Sequence, residues 1–382
     1  MSRDSELAEI VNLHKEWLKC GDTSGNRAGK RADLSGASLD GVDLSGMDLS
    51  GALLCGASLE GANLSASGLY HADFSDANLK GANLTGATLV LTNFTGADLQ
   101  GANLSGTNDS TVEGLGQNRR GPNFKDANLE NALLSVAYCV ASDFSGANLK
   151  GACLAGAKLV RANFVNSDLT DLDMSKANLV DANLNDCKLC GTNLQWAQLS
   201  GANLRSSSLV LADICGADLR SANLENCKVD GIKYNRKTQF RGIRVAGCYG
   251  SARFKRFAED HDYIEEFSEA HPLAYFVWLT LTDCGRSLMR VVLWSLVQSV
   301  SFGIMYFSLG PHAFSISNPN GLKWDLFSAI YFSVVTFTTL GFGDITPNTQ
   351  LAAAIVIVEV VIGYVMLGIL ISILANKVAR RS

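Results

Sequence analysis

The chain has no dense cysteine framework, no histidine cluster, no large excess of either charge and no apolar leader, and each absence removes a class of protein. Its ten cysteines, at 20, 55, 139, 153, 187, 190, 215, 227, 248 and 284, are spread too widely for a small domain stapled by disulfides. The one C-x-x-C, Cys187 to Cys190, has no second pair or histidine group to complete a metal site. Cys187 stands where other repeats carry alanine, so a buried free thiol is expected there. A net charge of −5 over 382 residues gives no general pull toward nucleic acid. The opening MSRDSELAEIVNLHKEWLKCG carries acids throughout and no unbroken apolar core. It therefore does not read as a secretory signal, and the first part of the chain is expected to stay in the cytoplasm. Apolar content collects only after about residue 290.

From about residue 31 to 235 the sequence is a five-residue stutter of the form GANLS. Leu34, Leu39, Leu44 and Leu49 open a series that passes through Phe74 and Phe94 to Leu104. It resumes at Phe124 and runs through Phe144, Phe164, Met174 and Ile214 to Val229. Two residues before nearly every member lies a small residue, as at Ala62, Ala82 and Ala102, and Asn or Asp usually sits between. A period of five fits neither 3.6 nor 2.0, so no α-helix or ordinary strand could bury these leucines along one face. A coil with four five-residue sides can: each central Leu or Phe points to the axis, the small residue fills the corner and polar residues face water. Residues 106–121, GTNDSTVEGLGQNRRG, break the pattern while the five-residue phase survives, as expected of a polar loop leaving the stack.

This pattern resembles the pentapeptide-repeat family, whose fold is a right-handed quadrilateral β-helix. Roughly 38 repeats, four to a coil, imply nine to ten coils and a rod on the order of 45 Å long at a spacing of about 4.8 Å. The domain is expected over residues 31–245. Its open strand edges need covering. Leu7, Ile10, Val11, Trp17 and Leu18 make an apolar helical face within residues 1–30 that suits an N-terminal cap.

After Tyr234 the repeat frays. In SARFKRFAEDHDYIEEFSEA, the residues Phe254, Phe257, His261, Ile264 and Phe267 share one helical face, and Pro272 should end that helix. The following LAYFVWLTLT, residues 273–282, is about half of a spanning length near 20, and its Tyr275 and Trp278 suit a membrane interface. Residues 246–290 are thus expected to be linker and interfacial helices. Val291–Leu309 and Leu351–Ala375, about 19 and 25 residues, are each long enough to cross a bilayer. Arg286 and Arg290 flank the first, Lys377, Arg380 and Arg381 follow the second, and Lys323 is the one fixed cation between them. The positive-inside bias then puts both termini in the cytoplasm and the connecting segment outside.

That connecting segment holds TFTTLGFGDITP, residues 336–347. Asp325 suits an N-cap, and LFSAIYFSVVTFT after it is an apolar helix too short to cross both leaflets. It leads into Thr339, Leu340, Gly341, Phe342, Gly343 and Asp344. Irregular backbone at membrane depth is tolerated only where it is packed in protein or lines a cavity. Glycine at alternate positions permits the angles that turn successive carbonyls the same way, and four such segments around an axis would replace the water shell of K⁺ with rings of oxygen. TTLGFGD looks like the filter of tetrameric potassium channels, commonly TTVGYGD. TTLGFGDITP matches the two-helix bacterial pore branch over about residues 288–378, with a pore domain at 291–378 and its filter at 339–344.

The resemblance implies that the carbonyls of Thr339, Leu340, Gly341 and Phe342 and the Thr339 hydroxyl hold K⁺. It places Asp344 behind the filter at the outer mouth, within reach of the Tyr331 hydroxyl. Val335 stands where some members carry an acid, and Phe342 lacks the tyrosine hydroxyl of many relatives. Both departures bear on inactivation and on the sharpness of K⁺ over Na⁺ selection. The expected protein is a non-enzymatic potassium channel: a homotetramer in the cell's inner membrane, with a cytoplasmic repeat domain for assembly or gating and no organic cofactor. A weakly selective cation pore is the alternative.

Within the last helix, Glu359 is costly in lipid, at about 2.5 to 3.5 kcal/mol, so it should face protein. It reads either as a structural carboxyl, ionised or protonated, bonded to pore-helix hydroxyls such as Ser333 or Thr336, or as a proton-sensing gate. Gly363 is a hinge candidate and Gly368 a packing one. No helix carries regularly spaced arginines, so an ordinary voltage sensor is not expected. Seven residues follow Ala375, so a nucleotide-binding regulator downstream is not expected. Some pentapeptide-repeat proteins mimic DNA and bind topoisomerase, but Lys80, Lys150, Lys158, Arg161, Lys188, Arg205 and Arg220 interrupt any acidic stripe here.

Overall fold

The structure, a computed structural model, describes residues 3–19, 29–108, 121–317 and 323–379. Most of the expected loop at 106–121 lies outside them. The chain divides into two compact units between Glu265 and Glu266.

The first unit is a β-helix. Each coil bridges the next in parallel 20 residues on, as in Asp33 to Leu53, Leu53 to Asp73 and Asp73 to Asn93. The central residue sets the ladder: Leu44 N–H donates to the Asn63 carbonyl at 2.7 Å, and Asn63 N–H to the Val42 carbonyl at 2.9 Å. The recurrent Asn or Asp folds the corner, because its side-chain oxygen accepts from the backbone two residues on. Asp43 takes the Ser45 N–H at 3.0 Å in this way. The same side chains stack between coils, Asn63 donating to Asp43 at 3.0 Å and Asn83 to Asn63 at 3.2 Å. Inside, the central leucines are fully buried, and Phe74, Phe94, Phe124, Phe144 and Phe164 form a column with ring centroids 4.8 to 5.2 Å apart. That spacing is the distance between coils.

Register changes twice. Across the insertion it becomes 30 residues, as in Asn93 to Asn123, so the stack closes with the five-residue phase kept. Beyond Lys233 it becomes 21, in Asp218 to Gln239, Asn223 to Arg244 and Lys228 to Tyr249. One extra residue near Asn235 thus hides a further coil whose interior holds Phe240 and Val245.

Helices cover both ends. Helix α1 (Arg3–Lys19) buries Val11 and His14, and packs Leu7 and Ile10 on the core. The His14 Nδ1 accepts from Ala32 N–H at 3.1 Å, while the Leu13 carbonyl accepts from Lys30 N–H. Helix α2 (Ala252–Ala270) lays Phe254, Phe257, Ala258 and His261 over the last coil. Its Glu265 carboxylate accepts from Phe240 and Arg241 N–H at 3.2 and 3.0 Å, and Asp262 accepts from Gly242 N–H at 2.7 Å. These N–H groups have no further coil to pair with, and the carboxylates take its place.

The second unit is helical. Pro272 opens α3 (Pro272–Thr282), which ends in a turn at Asp283, Cys284 and Gly285, all at positive φ. Ser287 caps α4 (Leu288–Leu309), and α3 is tied to it by Trp294 Nε1 and Arg290, which donate to the Thr280 and Leu279 carbonyls at 3.1 and 3.0 Å. Then follow strand β1 (Phe314–Ile316), α5 (Leu326–Phe337), strand β2 (Ile345–Pro347) and α6 (Gln350–Ala379). Helices α4 and α6 are long and apolar enough to cross a membrane, and they contain the two expected spans.

Candidate functional site

Helix α5 is built to stop short. Asp325 accepts from Ser328 N–H at 2.7 Å while Ser328 Oγ accepts from Asp325 N–H at 2.9 Å, a reciprocal cap that fixes its start. It is then wedged between the two long helices by one glycine on each. A Cβ at Gly303 of α4 would come within 2.7 Å of the Ile330 Cα, and one at Gly363 of α6 would strike the Phe337 carbonyl oxygen. Gly363, the hinge candidate, is thus packed closely against α5, and α6 runs through it unbroken. Gly368, expected to serve packing, has nothing within 4 Å of an added Cβ.

From the C-terminus of α5 the chain turns into Thr339–Asp344. Its first N–H groups fold back on the helix: Thr339 donates to the Thr336 carbonyl at 3.0 Å and Leu340 to the Val335 carbonyl at 3.0 Å. Positive φ then alternates, 61° at Thr339, 52° at Gly341 and 73° at Gly343. Alternation between left- and right-handed angles brings successive carbonyls to the same side of a strand. Leu340 and Phe342 are 61% and 64% exposed within the single chain.

Three contacts hold the Asp344 end of the segment. Strands β1 and β2 pair antiparallel, with Phe314 opposite Pro347 and Ile316 opposite Ile345. Ser317 N–H donates to the Asp344 carbonyl at 2.8 Å, and the Tyr331 hydroxyl faces the Asp344 carboxylate. Val335 supports the segment through its carbonyl. An apolar cavity of about 280 Å³ lies below, lined by Val291, Ser299, Phe337, Thr339, Gly363 and Met366 among others.

Glu359 of α6 is fully buried. It meets Ser333 of α5, as one reading of the sequence had it, and also the Tyr306 hydroxyl of α4 at 2.6 Å. Sequence reasoning missed Tyr306 and Gly303. A buried acid in an apolar helix needs a partner on a facing helix, and the Tyr306 hydroxyl of α4 is one that reaches it. In the first unit, Cys187 is buried, donates to the Phe164 carbonyl at 2.8 Å and is pushed up to about 12 by burial. That is the inert thiol the repeat phase implied.

A repeat-built rod and a pore-type helical unit define a class of protein that comparison with known proteins specifies further. Residues 277–380 match the family described as Ion channel. Residues 32–67, 72–108 and 123–159 match pentapeptide repeats, and 157–234 a pentapeptide repeat region. Two-pore potassium channel 4 of Arabidopsis thaliana is 37% identical over 100 residues, 26% of this chain and 34% of that protein. Probable potassium channel protein 2 of Methanocaldococcus jannaschii is 41% identical over 65 residues, 17% of this chain and 18% of that one. The chain thus spans about a third or less of the length of these curated relatives. Among solved structures, the pentapeptide-repeat protein HetL from Nostoc sp. strain PCC 7120 is 26% identical with a TM-score of 0.22, covering 62% of this chain and 92% of that one. The fluoroquinolone resistance protein QnrB1 is 17% identical with a TM-score of 0.28, covering 60% and 97%. The chain joins a pentapeptide-repeat domain to an ion channel domain whose curated relatives are potassium channels.

Proposed function

We propose that this protein is a potassium-selective channel conducting passively through a homotetrameric pore, with the repeat rod on the cytoplasmic side of the cell's inner membrane. The observation that carries the reading is the alternation of positive φ at Thr339, Gly341 and Gly343. Carbonyls of Thr339, Leu340, Gly341 and Phe342, with the Thr339 hydroxyl, line the path and stand in for the hydration shell of K⁺. Each chain supplies one such segment and a ring needs four, so the symmetry is cyclic. The exposed Leu340 and Phe342 side chains are the surface a neighbouring copy covers. Asp344, Tyr331 and Val335 hold the segment from behind and supply no ligand.

Purified protein in planar bilayers under opposed K⁺ and Na⁺ gradients tests this. The reversal potential is expected to follow K⁺, with a conducting species of four chains by mass in detergent. Equal response to both ions would leave a weakly selective cation pore.

A further inference from the structure

Three oxygen–oxygen contacts meet around Glu359. Tyr306 Oη lies 2.6 Å from its Oε2, Ser333 Oγ is bonded to its Oε1, and the same Ser333 Oγ lies 2.7 Å from the Ser299 carbonyl oxygen. Each contact needs a hydrogen between its oxygens. The tyrosine and serine hydroxyls carry one each, a carbonyl carries none, and an ionised carboxylate only accepts. An ionised Glu359 would leave one contact as two lone pairs face to face.

We propose that Glu359 is held protonated and uncharged, and that its proton completes a hydrogen-bonded clasp joining α4, α5 and α6. Glu359 donates from Oε1 to Ser333 Oγ, Ser333 donates to the Ser299 carbonyl, and Tyr306 donates to Oε2. All three contacts are then satisfied with none repulsive. The surroundings agree, because a buried carboxylate without a cation is strongly disfavoured. On α4 the one charged residue is Arg290, in the first turn and engaged with Asp283 at 3.8 Å and the Leu279 carbonyl. Helix α5 has no charged residue, and its Tyr331 faces Asp344. The other charged residue of the described part of α6 is Lys377, 18 positions on and so about 27 Å along the helix. Tyr306 is thus the titratable group that faces Glu359.

The clasp gives Glu359 a positioning role. Ser333 lies two residues before Val335, whose carbonyl anchors the Leu340 N–H. Fastening Ser333 to both long helices therefore fixes where the filter segment begins. The conduction arm of this inference rests on the pore reading; the proton itself does not.

The test uses the full-length protein at neutral pH. In the infrared difference spectrum of native minus Glu359→Gln, a protonated-carboxyl C=O band is expected, and a carboxylate band in its place would overturn the proposal. Glu359→Gln can donate to Ser333 and accept from Tyr306, so its K⁺ flux and thermal midpoint should match the native protein, flux within about twofold. Glu359→Leu and Ser333→Ala should lower both. A folded Glu359→Gln protein as impaired as Glu359→Leu would show that the charge is needed and would also overturn it. If Glu359→Leu fails to fold, the spectrum and Glu359→Gln still decide. If the native protein carries no flux, the pore reading fails while the infrared band and the melting series still report the proton.

Discussion

A threonine at φ 61° holds a β-branched side chain in the left-handed region, where its Cβ crowds the backbone. Thr339 stays there because its N–H is tied to Thr336 and the next N–H to Val335, so α5 dictates its angles. Gly341 and Gly343 reach similar angles without that support. At Gly341 an added Cβ would meet nothing within 4 Å, so it is the backbone and not space that demands glycine. Alanine there costs about 1–2 kcal/mol in each chain, relieved if the peptide rotates and turns a carbonyl away from the path. Gly341→Ala should therefore abolish K⁺ conduction while leaving thermal unfolding of the purified protein close to native. Native single-channel current from this variant would show that the carbonyls of Leu340 and Gly341 are not ligands. Gly363 carries the opposite constraint: its angles are helical, and the Phe337 carbonyl fills the space a side chain would take. Sequence could not separate these roles, since hinge and packing glycines in an apolar helix look alike until the neighbouring backbone is placed.

At the scale of elements, the repeat was legible because a period of five admits one way of burying its leucines, and the N-cap at Asp325 was legible as a local signal, though its reciprocal partner Ser328 was not. The last coil was legible in extent, since the domain was expected to reach residue 245, but not in phase. One residue inserted near Asn235 moves Phe240 and Val245 out of phase, and a periodic reading stops there although the backbone ladder continues. The β1–β2 pairing was equally hidden, because three-residue strands carry no period to read. The end caps were half visible: the apolar faces of α1 and α2 were, but the polar groups that close the edges were not. His14 is one of these, and its titration gives a test. Burial, opposed in part by Asp48, holds His14 below its ordinary value of 6.5, and its neutral Nδ1 accepts from Ala32 N–H. A histidine lowered on folding contributes stability that is complete above 6.5 and is lost as pH falls through the lowered folded value. Rod stability, followed by circular dichroism on heating, should fall as pH drops below the ordinary histidine value of 6.5, and His14→Gln should flatten that dependence. Identical slopes in the two proteins would mean that the cap does not depend on a neutral imidazole.

For the whole molecule, the question is what a rod of stacked coils contributes to the proposed pore, whose ligands all lie beyond it in the chain. Every covalent connection from the coils to α4 passes through α2 and α3, whereas α5, the filter segment and α6 lie beyond them in the chain. The structure also decides where a truncation should cut. Phe254, Ala258 and His261 are buried against the last coil, and Asp262 and Glu265 accept its unpaired N–H groups. Removing residues 1–245 would leave α2 with an orphaned apolar face and two carboxylates without donors, and any aggregation would say nothing about the pore. A chain starting at His271 removes the rod together with the helix that belongs to it. If the rod serves assembly or gating, this chain should keep the K⁺ over Na⁺ preference of the intact protein, because none of the proposed ligands is touched. It should differ in tetramer yield in detergent or in open probability in single-channel records. Unchanged yield and unchanged open probability would reduce the rod to a docking surface for another partner, and loss of ion preference would mean that the rod reaches the filter itself.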